Sequence, residues 1–199
     1  MKKLSTRTKL IALVLLTIPI AYALNSKKSS NGCVDITFGS VRLSVPQRHI
    51  TSHNNNFTFV FDSNVKGVDC PVGCNDLLVN VSSTNPTPEQ NWKYSEPKFT
   101  GRMSGTYRIY YDRFTDTSKP TRETLVPSDV VLSQDEFYVC TPEGRVVNPT
   151  CNIKVVTQSG LVAYFYIPRK VLSKAREAAS FVRQSIDQFT DNHAKGICK

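Results

Sequence analysis

Histidine is scarce in this chain, three residues in 199, and the three are badly placed for zinc chemistry. His49 and His53 lie four apart, but no carboxylate stands between them and Asn54-Asn55-Asn56 follows at once, so the HExxH helix that supplies two ligands and a base is missing; His193 stands alone near the C-terminus. No glycine-rich loop follows a strand and opens a helix, which argues against nucleotide binding. Gly101-Arg102-Met103-Ser104-Gly105 puts its serine one position late for a nucleophile elbow and precedes a strand instead of following one. Lysine and arginine never cluster into a run, so no nucleic-acid partner is expected. An apolar stretch of the ~20 residues needed to cross a bilayer is lacking too. The run Leu10 to Leu24 is shorter and is interrupted by Pro19. No metal and no cofactor are expected.

What the chain does have begins with an address. Met1 to Lys9 carries four cations and no acid, Leu10 to Ile20 is almost wholly apolar, and Ala21-Tyr22-Ala23 supplies a small-x-small site. Residues 1–23 therefore read as a bacterial secretory signal peptide, with the mature chain starting at Leu24 in the periplasm. The alternative is an uncleaved anchor in the inner membrane, because Lys27 and Lys28 just beyond the site oppose translocation. Membrane contact is expected only in that case. Residues 24–32 form a polar linker, and 33–199 are long enough for a single domain with a proper core. Without the leader the formal charge falls from +9 to +5, an ordinary solvated surface or one suited to an acidic protein.

All six cysteines follow the leader, and in an oxidising compartment an even count reads as up to three disulfides. Cys140 with Cys151 is the first expectation, since two short strands place them near the mouth of a hairpin. Cys70 and Cys74 bracket the turn Pro71-Val72-Gly73, which leaves Cys33 with Cys198, a staple from the first strand to the end of the last helix. Other connectivities remain open.

From Cys33 onward, short β-branched and aromatic segments alternate with Pro, Gly, Asn and Ser, the pattern of a mostly antiparallel sheet. Strands are expected near 34–38, 41–45, 57–61, 77–81, 106–111, 137–140, 152–156 and 161–167, with glycine-bearing hairpin turns at Gly39 and Gly160. After Val171, Leu172, Ala175, Ala178, Ala179, Val182, Ile186 and Phe189 make one stripe at spacings of three and four, so a long C-terminal amphipathic helix should pack on the sheet and stop near Gly196. The fold class is α+β. Asn56-Phe57-Thr58 and Asn80-Val81-Ser82 match a glycosylation acceptor, but they fall in or at predicted strands of a chain with a bacterial-looking leader.

Two stretches lack periodicity: Ser82 to Lys98, broken by Pro86 and Pro88, and Thr115 to Ser128, with Pro120 and Pro127. Both read as long surface loops, the natural places for partner contact. Trp92 and Tyr94 are candidate anchors there, and Arg113, Lys119 and Arg122 are cations placed to meet an acidic partner. Two other function classes stay open. Asp112, Asp116 and Glu136 would have to converge in pairs for an envelope glycosidase or lipid hydrolase, and an exposed sheet edge would suit a surface assembly or structural subunit.

An export signal, the strand Cys33-Val34-Asp35-Ile36-Thr37-Phe38-Gly39, a second strand ending Val45-Pro46-Gln47-Arg48, a Tyr138-Val139-Cys140 to Cys151 hairpin and Tyr164-Phe165-Tyr166-Ile167-Pro168-Arg169 feeding a terminal helix together resemble small periplasmic immunity proteins paired with type VI secretion effectors. The resemblance implies a non-enzymatic binding protein that intercepts a protein toxin and occludes it. It marks no binding residue.

Overall fold

The computed structural model describes residues 32–50, 58–62, 76–83, 86–130 and 136–196. The leader, His53, Cys70, Cys74 and Cys198 lie outside the described residues, as does the linker except Gly32.

Strands β1 (Cys33–Phe38) and β2 (Val41–Pro46) form a separate antiparallel hairpin. Gly39 turns it at φ +57°, a conformation that costs an L side chain strain and glycine almost none. Val34, Ile36 and Phe38 alternate to one face and are buried with Leu43 and Val45 from the facing strand.

The remaining strands are β3 (Thr58–Asp62), β4 (Asp76–Ser82), β5 (Lys98–Ser104), β6 (Tyr107–Tyr111), β7 (Glu123–Pro127), β8 (Tyr138–Cys140), β9 (Thr150–Val156) and β10 (Val162–Pro168). They make one antiparallel sheet in the order β3-β4-β10-β9-β8-β7-β6-β5. Every strand pairs with its sequence neighbour except where β4 meets β10. The chain must therefore leave β4, cross six inter-strand steps to the far edge, and meander back. At about 4.8 Å per step this is a traverse of about 29 Å, which a surface loop can make only by running over one face of the sheet.

That crossing is the stretch read as a loop from Ser82 to Lys98, and it contains the helix α1 (Pro88–Ser95). The expectation missed the capping box: Thr87 Oγ1 accepts from the Gln90 amide at 3.2 Å while the Gln90 side chain accepts from the Thr87 amide at 2.9 Å. Pro88, which looked like a breaker, occupies the first helical turn, where its missing N–H is no loss. The second expected loop, Thr115 to Ser128, holds β7, all five of whose residues are buried. Its apolar core is only Leu125-Val126, too short to announce a strand. Strand β5 also went unread, since its side chains are mostly exposed and show no alternation.

The sheet's inner face carries Leu77, Val79 and Val81 of β4, Phe165 and Ile167 of β10, Ile153 and Val155 of β9, and Leu125 of β7. Against it lies α2 (Ala175–Lys195), entered through a 3-10 turn over Arg169–Lys174. The expected stripe is the buried one: Ala175, Ala178, Val182, Ile186 and Phe189 meet both the sheet and the β1–β2 hairpin. Gly196 ends the helix in the left-handed conformation at φ +64°, its amide donating to the Asn192 and His193 carbonyls. The arrangement is the α+β class expected. Among the described residues no helix is long and apolar enough to cross a membrane.

Candidate functional site

The outer face of the sheet, opposite α2, is only partly covered, and α1 turns the uncovered part into a groove of about 640 Å³. Cross-strand register builds its floor. Thr124, Val139, Asn152 and Tyr166 are direct partners across β7, β8, β9 and β10, so all four project to the same side. Lys154 lies one pleat further along β9, opposite Tyr164.

Cys140 and Cys151 are also direct partners, one residue along, and are joined by a disulfide across a Cα separation of 4.0 Å. This expected bridge clamps β8 to β9 on the inner face of the sheet, beneath the groove floor. Cys33 is disulfide-bonded as well.

Trp92 fixes the helix wall. Its ring stands 5.3 Å from Tyr110 and 5.3 Å from Phe137, in a small second core with Val126 and Val130. The sole tryptophan therefore pins α1 to the sheet and leaves part of its surface in the groove. Tyr94, two residues on, points outward at 64% exposure and meets the half-exposed Phe114 at 5.5 Å. The Arg113 guanidinium sits over both rings, 4.9 Å from Tyr94 and 4.7 Å from Phe114, and pairs with Glu96 at 3.0 Å. Exposed aromatics held by a cation keep their surface available at little rotamer cost.

Trp92, Tyr94, Arg113 and Arg122, chosen from sequence far apart, are thus brought to one groove and its rim. Lys119 is not: it lies on an exposed turn closed by its amide on the Asp116 carbonyl at 3.2 Å and lines no part of the groove. Arg122 is engaged with the shielded carboxylate of Asp112 at 2.8 Å. Lys154 and Asn152 are the residues that sequence reading missed. Lys154 is half-buried with no hydrogen bond or ion pair among the described residues, and desolvation pulls its ammonium below the ordinary lysine value. The Asn152 Oδ1 is buried without a hydrogen-bond partner. Alternation along β9 was the one signal available for them.

Each of the three candidate carboxylates has partners within the fold. Asp112 also accepts from the Phe114 amide at 3.0 Å and the Thr115 hydroxyl at 2.7 Å. Asp116 closes its own turn through Ser118, whose hydroxyl and amide hold its carboxyl below the usual range. Glu136 is shared between the Tyr138 hydroxyl and Arg176, which also grips Asp129 with both terminal nitrogens, at 2.8 and 2.9 Å.

His193 proves not to be isolated. Its Nδ1 lies 3.1 Å from Ser44 Oγ and 3.5 Å from Asp35, cross-strand partners in the hairpin. Serine, histidine and aspartate are the residues of a nucleophilic triad, but their order here is wrong. A triad needs the serine proton directed at one imidazole nitrogen and the carboxylate at the other. Ser44 instead donates to Asp35 at 2.5 Å, and both face the same nitrogen. Buried Ser44 thus ties the end of α2 to the hairpin. Among the described residues no cluster of histidine, cysteine and carboxylate could hold a metal ion.

A hairpin and helix packed on one face of a meandering eight-stranded sheet define the architecture. No family model and no curated protein matches the sequence. Among solved structures the fold is similar to an immunity protein of the Stenotrophomonas maltophilia type IV secretion system, with 11% identity over 80% of this chain and 93% of that one and a TM-score of 0.54. The likeness is one of fold. That neighbour serves a type IV system, whereas the sequence resemblance was to immunity proteins paired with type VI effectors.

Proposed function

We propose that this protein neutralises a secreted protein toxin by binding it and covering its working surface. The carrying observation is the fold shared with an immunity protein over nearly the whole of that chain, with an open, aromatic-rimmed groove on the free face of the sheet. Trp92, Tyr94, Arg113 and Arg122 would make the contact there, joined by Phe114 and Tyr166, while Lys119 would act at longer range by steering. The disulfide under the floor and the packed Trp92 preorganise the surface, which lowers the entropy lost on association. Export through a leader over 1–23 would place the protein in the periplasm, where an incoming toxin is met.

The test is co-expression with the products of the genes flanking its own, each directed to the periplasm. One product should stop growth alone, be tolerated with this protein, and form a one-to-one complex. The double substitution Tyr94→Ala and Phe114→Ala should weaken that complex at least tenfold, about 1.4 kcal/mol. No toxic product, or a complex indifferent to the double substitution, would reject the reading or its binding face.

A further inference from the structure

Resting on the outer face as the contact surface, we infer that the groove is built to receive an acidic side chain of a partner protein, its carboxylate on Lys154 and its backbone N–H on Asn152 Oδ1. Lys154 carries a charge in a partly desolvated place, and a cation so placed ordinarily acquires an anion. None of this protein's described groups provides one. Asp112, the carboxylate lining the groove, is committed to Arg122 at 2.8 Å. Glu136 borders Lys154 on the side toward α2, and its Oε1 serves Arg176 at 2.6 Å and Tyr138 at 2.5 Å. The burial that depresses the Lys154 pKa is the same burial an incoming carboxylate would offset.

Asn152 supplies the second half. Its Oδ1 is a buried acceptor with no donor, an arrangement that costs stability unless something outside the chain completes it. The two residues are two apart on β9 and share a face, so their Cα atoms are about 7 Å apart. A glutamate or aspartate in an extended segment offers an N–H donor and an anionic acceptor across such a gap. Tyr166, half-exposed beside Asn152, and Val139 supply apolar walls for its neighbours.

The probe is the blocked peptide acetyl-Ala-Glu-Ala-amide, with acetyl-Ala-Gln-Ala-amide as its uncharged twin, titrated into the full mature protein by NMR. The acidic peptide should shift the Asn152 side-chain amide and the Lys154 side-chain resonances with weak, millimolar affinity, and the glutamine peptide should bind at least fivefold more weakly. Lys154→Met should remove the difference between the two, while Lys170→Gln, in the 3-10 turn outside the groove, should leave it. Equal binding of both peptides, shifts scattered over exposed cations, or no shift at the groove would overturn the inference. The assay needs no toxin, so a negative result removes the acid pocket and leaves toxin neutralisation standing, whereas peptide binding without any toxin complex removes the latter alone.

Discussion

Arg169 and Glu123 meet at 2.7 Å inside the protein, their side chains 4% and 5% exposed. Arg169 leaves the end of β10 just after Pro168, and Glu123 opens β7, three strands away in the sheet. The guanidinium also donates to the Thr141 carbonyl at 2.7 Å, so one side chain holds the start of the helical segment, β7 and the β8–β9 loop together. Glu143 approaches its Nε to 3.3 Å, though without hydrogen-bond alignment.

A buried pair of this kind is worth little compared with an apolar pair but is costly to break on one side. Arg169→Met, which strands the Glu123 carboxylate, should lower stability by about 3 to 5 kcal/mol. The double variant Arg169→Met with Glu123→Leu should recover most of that loss. Urea denaturation of the single and double variants gives the coupling; a double variant as unstable as the sum of the singles would show that the ion pair is not what joins these elements.

Much of this architecture was legible because the relevant signals are local. The stripe from Ala175 to Phe189 needs only the helical period, and Gly39 and Gly160 needed only the turn, so the helix and two hairpins could be placed directly. The Cys140–Cys151 bridge followed from two strands facing each other across a short loop. What escaped was non-local. Strand β7 is buried by neighbours that its own five residues do not reveal, and β5 shows no alternation because it lies at an edge and carries a bulge between Phe99 and Met103. Lys154 is a lysine like any other until β8 and β10 flank it and the crossing from β4 to β5 walls its face. The meeting of Ser44, Asp35 and His193 joins residues 149 positions apart, which no spacing argument reaches.

Burial, and then the neighbouring Glu136 carboxylate, holds the Tyr138 phenol far above the ordinary tyrosine range, and burial raises Tyr107 as well. Both groups keep their protons more tightly in the folded state than in the unfolded one. Their contribution is fully present below pH 10, the unfolded value, and is lost as pH rises beyond it. Spectrophotometric titration should therefore leave Tyr107 and Tyr138 un-ionised until the fold gives way. Tyr138→Phe should reduce the alkaline loss of stability; normal titration of every tyrosine in folded protein would contradict the burial of the pair.

Lys154 gives the opposite sign. Desolvation lowers its folded pKa beneath the unfolded value of 10.5, so the unfolded chain binds its proton more readily and the charged lysine destabilises the fold at neutral pH. Lys154→Met should raise stability by about 0.5 kcal/mol at pH 7. The gain should shrink as pH rises through the lowered folded pKa and disappear above 10.5, where the wild-type lysine loses its proton in both states. Thermal unfolding of the two proteins at pH 7 and pH 10 measures this; a destabilised Met variant would mean that the ammonium has a partner within the fold.

The Ser44, Asp35 and His193 contact separates a clamp from a catalyst. With its proton on Asp35, the Ser44 hydroxyl lacks a base, and its oxygen is shielded by the hairpin and α2. A fluorophosphonate that labels activated serines should leave Ser44 unmodified in folded protein. His193→Ala should instead loosen the last turn of α2, raising amide exchange near Asn192 and Gly196 while Ala178 and Val182 stay protected. Loss of the hydrogen bond to Ser44 should cost about 1 kcal/mol in global stability. Labelling at Ser44, or a His193→Ala protein with unchanged exchange at the helix end, would turn the contact back into a candidate for chemistry.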